Sequence, residues 1–159
     1  MKKIIIIFSI IIFQSFNLYA DNFSKIKRIT LGNKKAKITI IAYESLTCSH
    51  CADFHKNVLP KLKRDYIDTG LVKIEFRHFP LDKAAFNASK ISQCKNDGET
   101  NILNSLYLNQ SKWVKGQTIE EINDNLKNFL RSQKFNLNFA KCTNNKNIED
   151  FVLNDRIEG

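Results

Sequence analysis

Residues 38–79 carry two strand patterns separated by one helix pattern, and this arrangement constrains the fold more than any other feature. The run 38–43 is β-branched and nearly continuously apolar, which predicts a buried strand. Over residues 71–79 apolar and charged side chains alternate, which predicts a second strand that closes at Pro80. Two strands joined through a helix are expected to lie parallel in one sheet, with a right-handed crossover.

The helix pattern between these strands lies in apolar residues that recur at spacings of three and four: Phe54, Val58, Leu59, Leu62 and Tyr66. This spacing predicts a helix whose apolar stripe faces the core. Pro60 is expected to kink it, because proline removes one backbone donor. Thr47 or Ser49 is a candidate cap for the start of the helix. His55 lies off the stripe, which predicts an exposed side chain.

Residues 83–159 have helical periodicity throughout. Helices are predicted over 84–94, over 101–109, after a capping box that begins at Thr118, and over 137–142 and 148–153. The chain is therefore divided into an export segment (1–20), a βαβ region with a polar lead-in (21–82) and a helical region (83–159). Trp113 is predicted to pack inside the helical region, and His78 inside the βαβ region.

Residues 1–20 resemble a secretory signal peptide. Lys2 and Lys3 precede an apolar run over residues 4–13, and Ala20 is a small residue at the expected cleavage position. A membrane-spanning helix needs about 20 apolar residues, so this run is short for one. Cleavage after Ala20 and export to the periplasm are predicted; an uncleaved anchor is the alternative.

The net charge of +9 does not by itself indicate a nucleic-acid partner. Lysine supplies most of the positive charge and is spread along the chain. The densest cluster is short and precedes a predicted strand, at residues 34–37. Nucleic-acid binding requires a basic patch, so a compositional bias toward lysine is the preferred interpretation.

The run Cys48-Ser49-His50-Cys51 lies where the first strand gives way to the helix. Free N–H groups and the helix dipole stabilise a thiolate at such a junction, and this predicts a lowered pKa for Cys48. Cys51 lies one turn deeper and is placed to resolve a mixed disulfide formed at Cys48. A protonated His50 would stabilise the Cys48 thiolate further, and a stabilised reduced form makes an oxidising disulfide.

Other interpretations of the four cysteines stay open at this point. Cys-x2-Cys is also half of a zinc site, to which histidines would add ligands, although a second close cysteine pair is absent from the sequence. A purely structural Cys48–Cys51 bridge closes too small a loop to stabilise the fold much. Cys94 and Cys142 are a candidate structural disulfide, a second redox pair, or two free buried thiols.

The run 38–55 resembles the DsbA-like oxidoreductases of the bacterial envelope, which belong to the thioredoxin superfamily. Residues 79–82 (Phe-Pro-Leu-Asp), a lone Cys94 on a helix, residues 109–113 (Asn-Gln-Ser-Lys-Trp) and Cys142 fit the same family. The resemblance implies an α/β thioredoxin-like fold with an inserted helical domain. Because some relatives carry a disulfide in that domain, it also favours a structural Cys94–Cys142 bond.

The function that this resemblance implies is thiol–disulfide exchange, with Cys48, Cys51 and His50 as the catalytic residues and no cofactor. The expected substrates are thiols of exported proteins, and the expected partner is a membrane protein that reoxidises or reduces the site. No nucleic-acid partner is expected.

Two departures from the family pattern bear on activity. The family usually has a buried glutamate six residues before the first active-site cysteine, where this chain has Ala42; Glu44 lies on the same face of the predicted strand. The family also continues into a cis-proline loop, two strands and a helix, which do not follow residue 159 here. An incomplete sheet is therefore expected. The alternatives are a truncated or split-gene product with little activity, or a non-enzymatic envelope protein with a structural disulfide.

Overall fold

The computed structural model describes residues 26–159, so the predicted export segment lies outside the described residues. Within them a three-stranded sheet forms from β1 (Ile29–Leu31), β2 (Ile38–Glu44) and β3 (Val72–His78), in the order β1-β3-β2. Strands β2 and β3 are parallel, as predicted, with Ile38 opposite Val72. The short β1 is antiparallel to β3.

The alternation in β3 separates its two faces as predicted. Val72, Ile74, Phe76 and His78 are buried, while the intervening residues are partly exposed. His78 is packed in the interior as expected, with Nε2 lying 3.3 Å from Oε1 of Gln93. Burial lowers the pKa of His78 more than the nearby charge of Asp155 raises it.

Helix α1 joins β2 to β3 over residues 49–67, in two α-helical segments that alternate with wider π turns. The segments are Ser49–Asp53, Phe54–Val58 (π), Leu59–Leu62 and Lys63–Ile67 (π). Proline lacks an N–H, and the first π turn ends directly before the segment that contains Pro60.

The predicted apolar stripe of α1 is wrong in part. Val58 is 47% exposed and Tyr66 is 51% exposed, whereas His55, Leu59 and Ile67 are buried. A π turn takes in an additional residue, so positions four apart align better than the ideal α-helical period allows. The buried face therefore passes through His55 in place of Val58.

Six further helices follow in the described residues: α2 (Lys83–Gln93), α3 (Asn101–Leu108), α4 (Gln110–Trp113), α5 (Ile119–Ser132), α6 (Phe139–Thr143) and α7 (Lys146–Glu158). All but the short α4 lie where the sequence predicts helices. Thr118 caps α5 as predicted, since its side chain accepts a hydrogen bond from the Glu121 N–H. The last helix is longer than predicted because its polar first and last turns carry little apolar periodicity.

One hydrophobic core continues from the sheet into the helical region. It includes Ile74 from the sheet and Leu106, Trp113 and Leu126 from the helices, all fully buried. The prediction for Trp113 is confirmed, and its indole N–H donates to the Leu106 carbonyl. A disulfide joins Cys94, just after α2, to Cys142 in α6.

The sheet is open along β2, in agreement with the predicted incomplete sheet. Among the described residues β2 pairs only with β3, and its Ile38 and Ile41 are 56% and 47% exposed. Helix α7 packs against β3, where Asp155 pairs with Arg28 and accepts a hydrogen bond from the His78 N–H. No helix within residues 26–159 has the length and apolar character to cross a membrane.

Candidate active site

The two cysteines of the Cys-x-x-Cys run lie at the start of α1, as the sequence predicts. Cys48 is the residue from which α1 begins, with extended backbone angles, and its carbonyl accepts the N–H of Ala52 at 3.1 Å. No side chain caps this helix start, and both thiols are free and partly exposed. The N–H groups of the first turn are thus left for the cysteine sulfur atoms.

Cys48 is activated by hydrogen bonds from the backbone. Burial by itself raises the pKa of the Cys48 thiol, but hydrogen bonds from the Cys51 N–H, the Cys51 side chain and the His50 N–H together lower it below its ordinary value. These donors stabilise the thiolate, which is the nucleophilic form. The direction of this shift agrees with the sequence-based expectation.

The pKa of Cys51 is displaced in the opposite direction. Burial, together with the hydrogen bond and negative charge of Cys48 and the charge of Glu44, raises the pKa of Cys51 to about 11 against an opposing hydrogen bond from the Ser45 backbone. Cys51 therefore stays a thiol when Cys48 is a thiolate. Such a pair has one sulfur ready to attack and a second that reacts only after it loses its proton.

His50 lies between the cysteines with its side chain exposed. The interaction that the structure shows between His50 and Cys48 runs through the backbone N–H of His50. The predicted contribution of its imidazole stays a prediction.

Hydrogen bonds from the helical region hold the loop before Cys48 in place. The side-chain amide of Gln110 donates to the carbonyls of Leu46 and Cys48, at 2.9 and 3.0 Å. Thr47 donates to Asp82, which also caps α2. The prediction that Thr47 or Ser49 caps α1 is therefore wrong, because Cys48 occupies the capping position and Thr47 is bonded elsewhere.

A buried acid lies beside the cysteines even though Ala42 occupies the position where the family has glutamate. Glu44 is 8% exposed, at the end of β2, and its charge raises the pKa of both Cys48 and Cys51. Side chains two apart on a strand point to the same face, so Glu44 approaches the site from the side on which Ala42 lies. The expectation that Glu44 shares this face agrees with the structure.

The predicted exposure of His55 is wrong. Its side chain is buried, with Nε2 lying 2.7 Å from Oε2 of Glu44 and Nδ1 lying 3.1 Å from Oδ1 of Asn104. The imidazole also stacks on the Tyr107 ring, with centroids 4.0 Å apart. The sequence signal that could have revealed this burial is the spacing of four residues between Cys51 and His55, since residues four apart share a helix face.

The disulfide between Cys94 and Cys142 is separate from the pair at Cys48 and Cys51. Cys142 is buried, so this bond lies inside the helical region. Within residues 26–159 no three or more His, Cys, Asp or Glu side chains form a group that would hold a metal ion.

A βαβ unit with a Cys-x-x-Cys pair at its helix start, extended by a bundle of helices, defines a protein of thioredoxin type. Comparison with known proteins agrees with this class. The thioredoxin family model matches residues 24–158.

Solved structures and curated proteins narrow the class. Wolbachia pipientis alpha-DsbA1 is 35% identical, with a TM-score of 0.71 over 82% of this chain and 66% of that chain. A variant of the same protein is 32% identical, with a TM-score of 0.71 over 86% of this chain and 71% of that one. The chain described here belongs to the DsbA-like branch of the thioredoxin superfamily.

A curated Rickettsia conorii protein, named as a protein-disulfide oxidoreductase, is 34% identical over 96 residues. That match covers 59% of this chain and 35% of the Rickettsia protein. The matched region therefore spans about a third of the relative.

Proposed function

We propose that the protein is a thiol–disulfide oxidoreductase that introduces disulfides into exported proteins through the Cys48–Cys51 pair. The observation that carries this proposal is the placement of two free thiols at the uncapped start of α1. Hydrogen bonds there lower the pKa of Cys48, and burial raises the pKa of Cys51 to about 11. A partly exposed, stabilised thiolate beside a protonated thiol favours donation of the disulfide.

The proposed reaction transfers two electrons from a substrate dithiol to the enzyme disulfide. A substrate thiolate attacks Sγ of Cys48, the Cys48–Cys51 bond breaks, and Cys51 leaves as a thiolate that takes up a proton. The second substrate thiolate then attacks the sulfur atom that the substrate contributed to the mixed disulfide. The products are an oxidised substrate, a Cys48 thiolate and a Cys51 thiol.

The proposed roles follow from the positions of the side chains. Cys48 is the sulfur atom that exchanges with substrate, Cys51 is the leaving and resolving thiol, and His50 faces solvent beside Cys48, where a protonated ring would favour its thiolate. The Cys94–Cys142 disulfide is assigned a structural role, because Cys142 is buried in the core of the helical region.

The proposed location is the periplasm, on the strength of the signal-peptide pattern in residues 1–20. Disulfides form and persist in that compartment. The proposed substrates are thiols of exported proteins. A redox partner in the membrane would return the Cys48–Cys51 pair to its working oxidation state after each turnover.

The test is stoichiometric oxidation of a dithiol peptide by the oxidised protein. Disulfide transfer is expected from the wild type and none from Cys48→Ser. Reduced Cys51→Ser should accumulate a mixed disulfide with a peptide whose single cysteine is already bonded to an aromatic thiol, because Cys48 displaces that thiol and no resolving thiol follows. The matched control is the double variant Cys94→Ala/Cys142→Ala, which should still transfer. A folded wild-type protein that transfers no disulfide, or transfer that depends on Cys94 and Cys142, would contradict the proposal.

A further inference from the structure

The buried contact between Glu44 and His55 lies next to the proposed redox pair and is not needed to explain the fold. His55 is 3% exposed and Glu44 is 8% exposed, and their Nε2 and Oε2 atoms are 2.7 Å apart. Burying a carboxylate or an imidazolium alone is costly, so such groups are retained in the interior when they are paired.

The second ring nitrogen of His55 also faces an acceptor. Nδ1 lies 3.1 Å from Oδ1 of Asn104, and the amide nitrogen of Asn104 donates to the Thr100 hydroxyl at 3.2 Å. In this arrangement the amide oxygen of Asn104 faces the ring. Nδ1 is then the donor to Asn104, and a hydrogen bond between Nε2 and Glu44 requires one proton between the two groups.

The helical region holds this pair from two sides. Tyr107 stacks on the imidazole, is 2% exposed, and hydrogen-bonds to Glu44. Burial and the negative charge of Glu44 raise the pKa of Tyr107 well above its ordinary value, so its hydroxyl stays a donor. Asn104 and Tyr107 both belong to α3, which thus fixes the ring and the carboxylate together.

The pair of Glu44 and His55 lies close to Cys51. His55 follows Cys51 by one turn on the buried face of α1, and the charge of Glu44 acts on the thiols of Cys51 and Cys48. The titratable groups on which Glu44 acts are therefore Cys48, Cys51, Tyr107 and His55; the face of β3 toward the ring presents the apolar Phe76.

A route for proton exchange with solvent is also present. A surface cavity of about 300 Å³ is lined by His55, Asn104, Thr100 and Lys56, among other residues. One side of the pair thus lies near the cysteines, and the other lies at a cavity open to solvent. A buried group that exchanges protons during turnover requires both.

We propose that His55 is a positioning residue for the redox reaction, because it shares a proton with Glu44. Asn104 and Tyr107 hold this carboxylate–imidazole pair in place, and the pair supplies and removes the proton of Cys51. This inference rests on the proposed function. When the Cys48–Cys51 bond breaks, the Cys51 thiolate gains the shared proton, and solvent restores it to the pair. When Cys51 attacks a mixed disulfide at Cys48, the pair first releases the shared proton to solvent and then accepts the proton of Cys51.

The test follows one step of the reaction that involves Cys51. Cys48 of the reduced protein is converted to a mixed disulfide with a coloured aromatic thiol, and release of that thiol reports attack by Cys51. The rate is measured against pH for the wild type, His55→Gln, His55→Phe and Glu44→Gln. Gln keeps an N–H donor toward Glu44 but does not act as an acid or a base near neutral pH, and Phe keeps the stacking on Tyr107 alone.

We expect His55→Phe to slow release roughly tenfold or more near neutral pH, since general acid–base groups contribute about 10²–10⁴-fold and His55 acts through Glu44. The deficit should close as pH rises toward the pKa of Cys51. His55→Gln should recover part of the rate without restoring the wild-type pH profile. Combining His55→Phe with Glu44→Gln should slow release no further than Glu44→Gln alone, because the two residues act as one unit.

Asn104→Leu provides a milder variant that leaves the contact between His55 and Glu44 in place. It should shift the pH profile in the same direction by a smaller amount, whereas the control Asn87→Ala, on α2, should not. Profiles that stay parallel to wild type in folded His55 and Asn104 variants would overturn the inference. A wild type whose Cys51 releases no thiol at any pH would instead overturn the proposed function.

Discussion

The βαβ region (residues 26–82) and the helical region (83–159) differ in what their cysteines do. In the βαβ region Cys48 and Cys51 are free, partly exposed and unequal in acidity. In the helical region Cys94 and Cys142 form a disulfide inside a continuous core. The difference indicates that the acidity of a cysteine depends on its position relative to backbone donors and solvent.

The helix starts show the same contrast. Thr118, Asn138 and Asn145 each accept a backbone N–H and cap α5, α6 and α7. At the start of α1 no side chain accepts such a bond, and the position belongs to Cys48. The starts of α3 and α4 also lack a side-chain cap, so what distinguishes the start of α1 is the cysteine at the capping position, whose thiolate the first N–H groups stabilise.

The two regions also depend on each other. Gln110, Asn104 and Tyr107 come from the helical region, and each contacts the loop or the buried pair beside the cysteines. Part of the candidate site is therefore built by the region that carries neither Cys48 nor Cys51.

The largest expected effect on stability comes from removing the disulfide of the helical region. Cys94→Ala/Cys142→Ala should lower the free energy of unfolding by about 4 kcal/mol, because the bond closes a loop with a sequence separation of 48. Denaturant unfolding of the wild type and the double variant measures the difference. Unchanged stability, or a changed reaction rate of Cys48 in the folded variant, would contradict the division of roles.

A smaller effect is expected where the helical region holds the active-site loop. Gln110→Ala removes two hydrogen bonds to the carbonyls of Leu46 and Cys48, and should cost about 1–2 kcal/mol of stability. It should also alter the reaction rate of Cys48 with a small disulfide. The control Gln117→Ala, at an exposed position, should change neither quantity. Equal behaviour of the two variants would show that the loop holds its shape without the helical region.

The smallest expected effect concerns pH and the buried face of β3. His78 has a lowered pKa in the folded state, owing first to burial and then to the positive charge of Arg28, with Asp155 and Gln93 acting in the opposite direction. The unfolded chain then binds more protons below about pH 6.5, so stability that is complete above this value is lost as pH falls toward the folded pKa. His78→Gln should weaken this pH dependence of stability, which is measured as the free energy of unfolding against pH. An unchanged slope in the variant would show that His78 is not the source of the dependence.

Much of the βαβ region was predictable from the sequence because its signals are periodic. The alternation over β3, the apolar run of β2 and the junction before Cys48 each have one dominant interpretation. The burial of His55 was missed because a π turn changes which residues share a face, and the π turn itself has no clear signal beyond Pro60. The contacts of Gln110 and Asn104 were missed because they join positions 64 and 49 residues apart, which local patterns do not connect.

The central claim is that the backbone at the start of α1 makes Cys48 and Cys51 unequal, and alkylation against pH tests it most directly. The Cys48–Cys51 pair is reduced with the Cys94–Cys142 bond left intact, and modification of each thiol is followed by peptide mass spectrometry. Cys48 is predicted to react with a midpoint below the ordinary thiol value of about 8.5, and Cys51 only as pH approaches about 11. Two thiols that react together at the ordinary value, or Cys51 reacting first, would contradict the account.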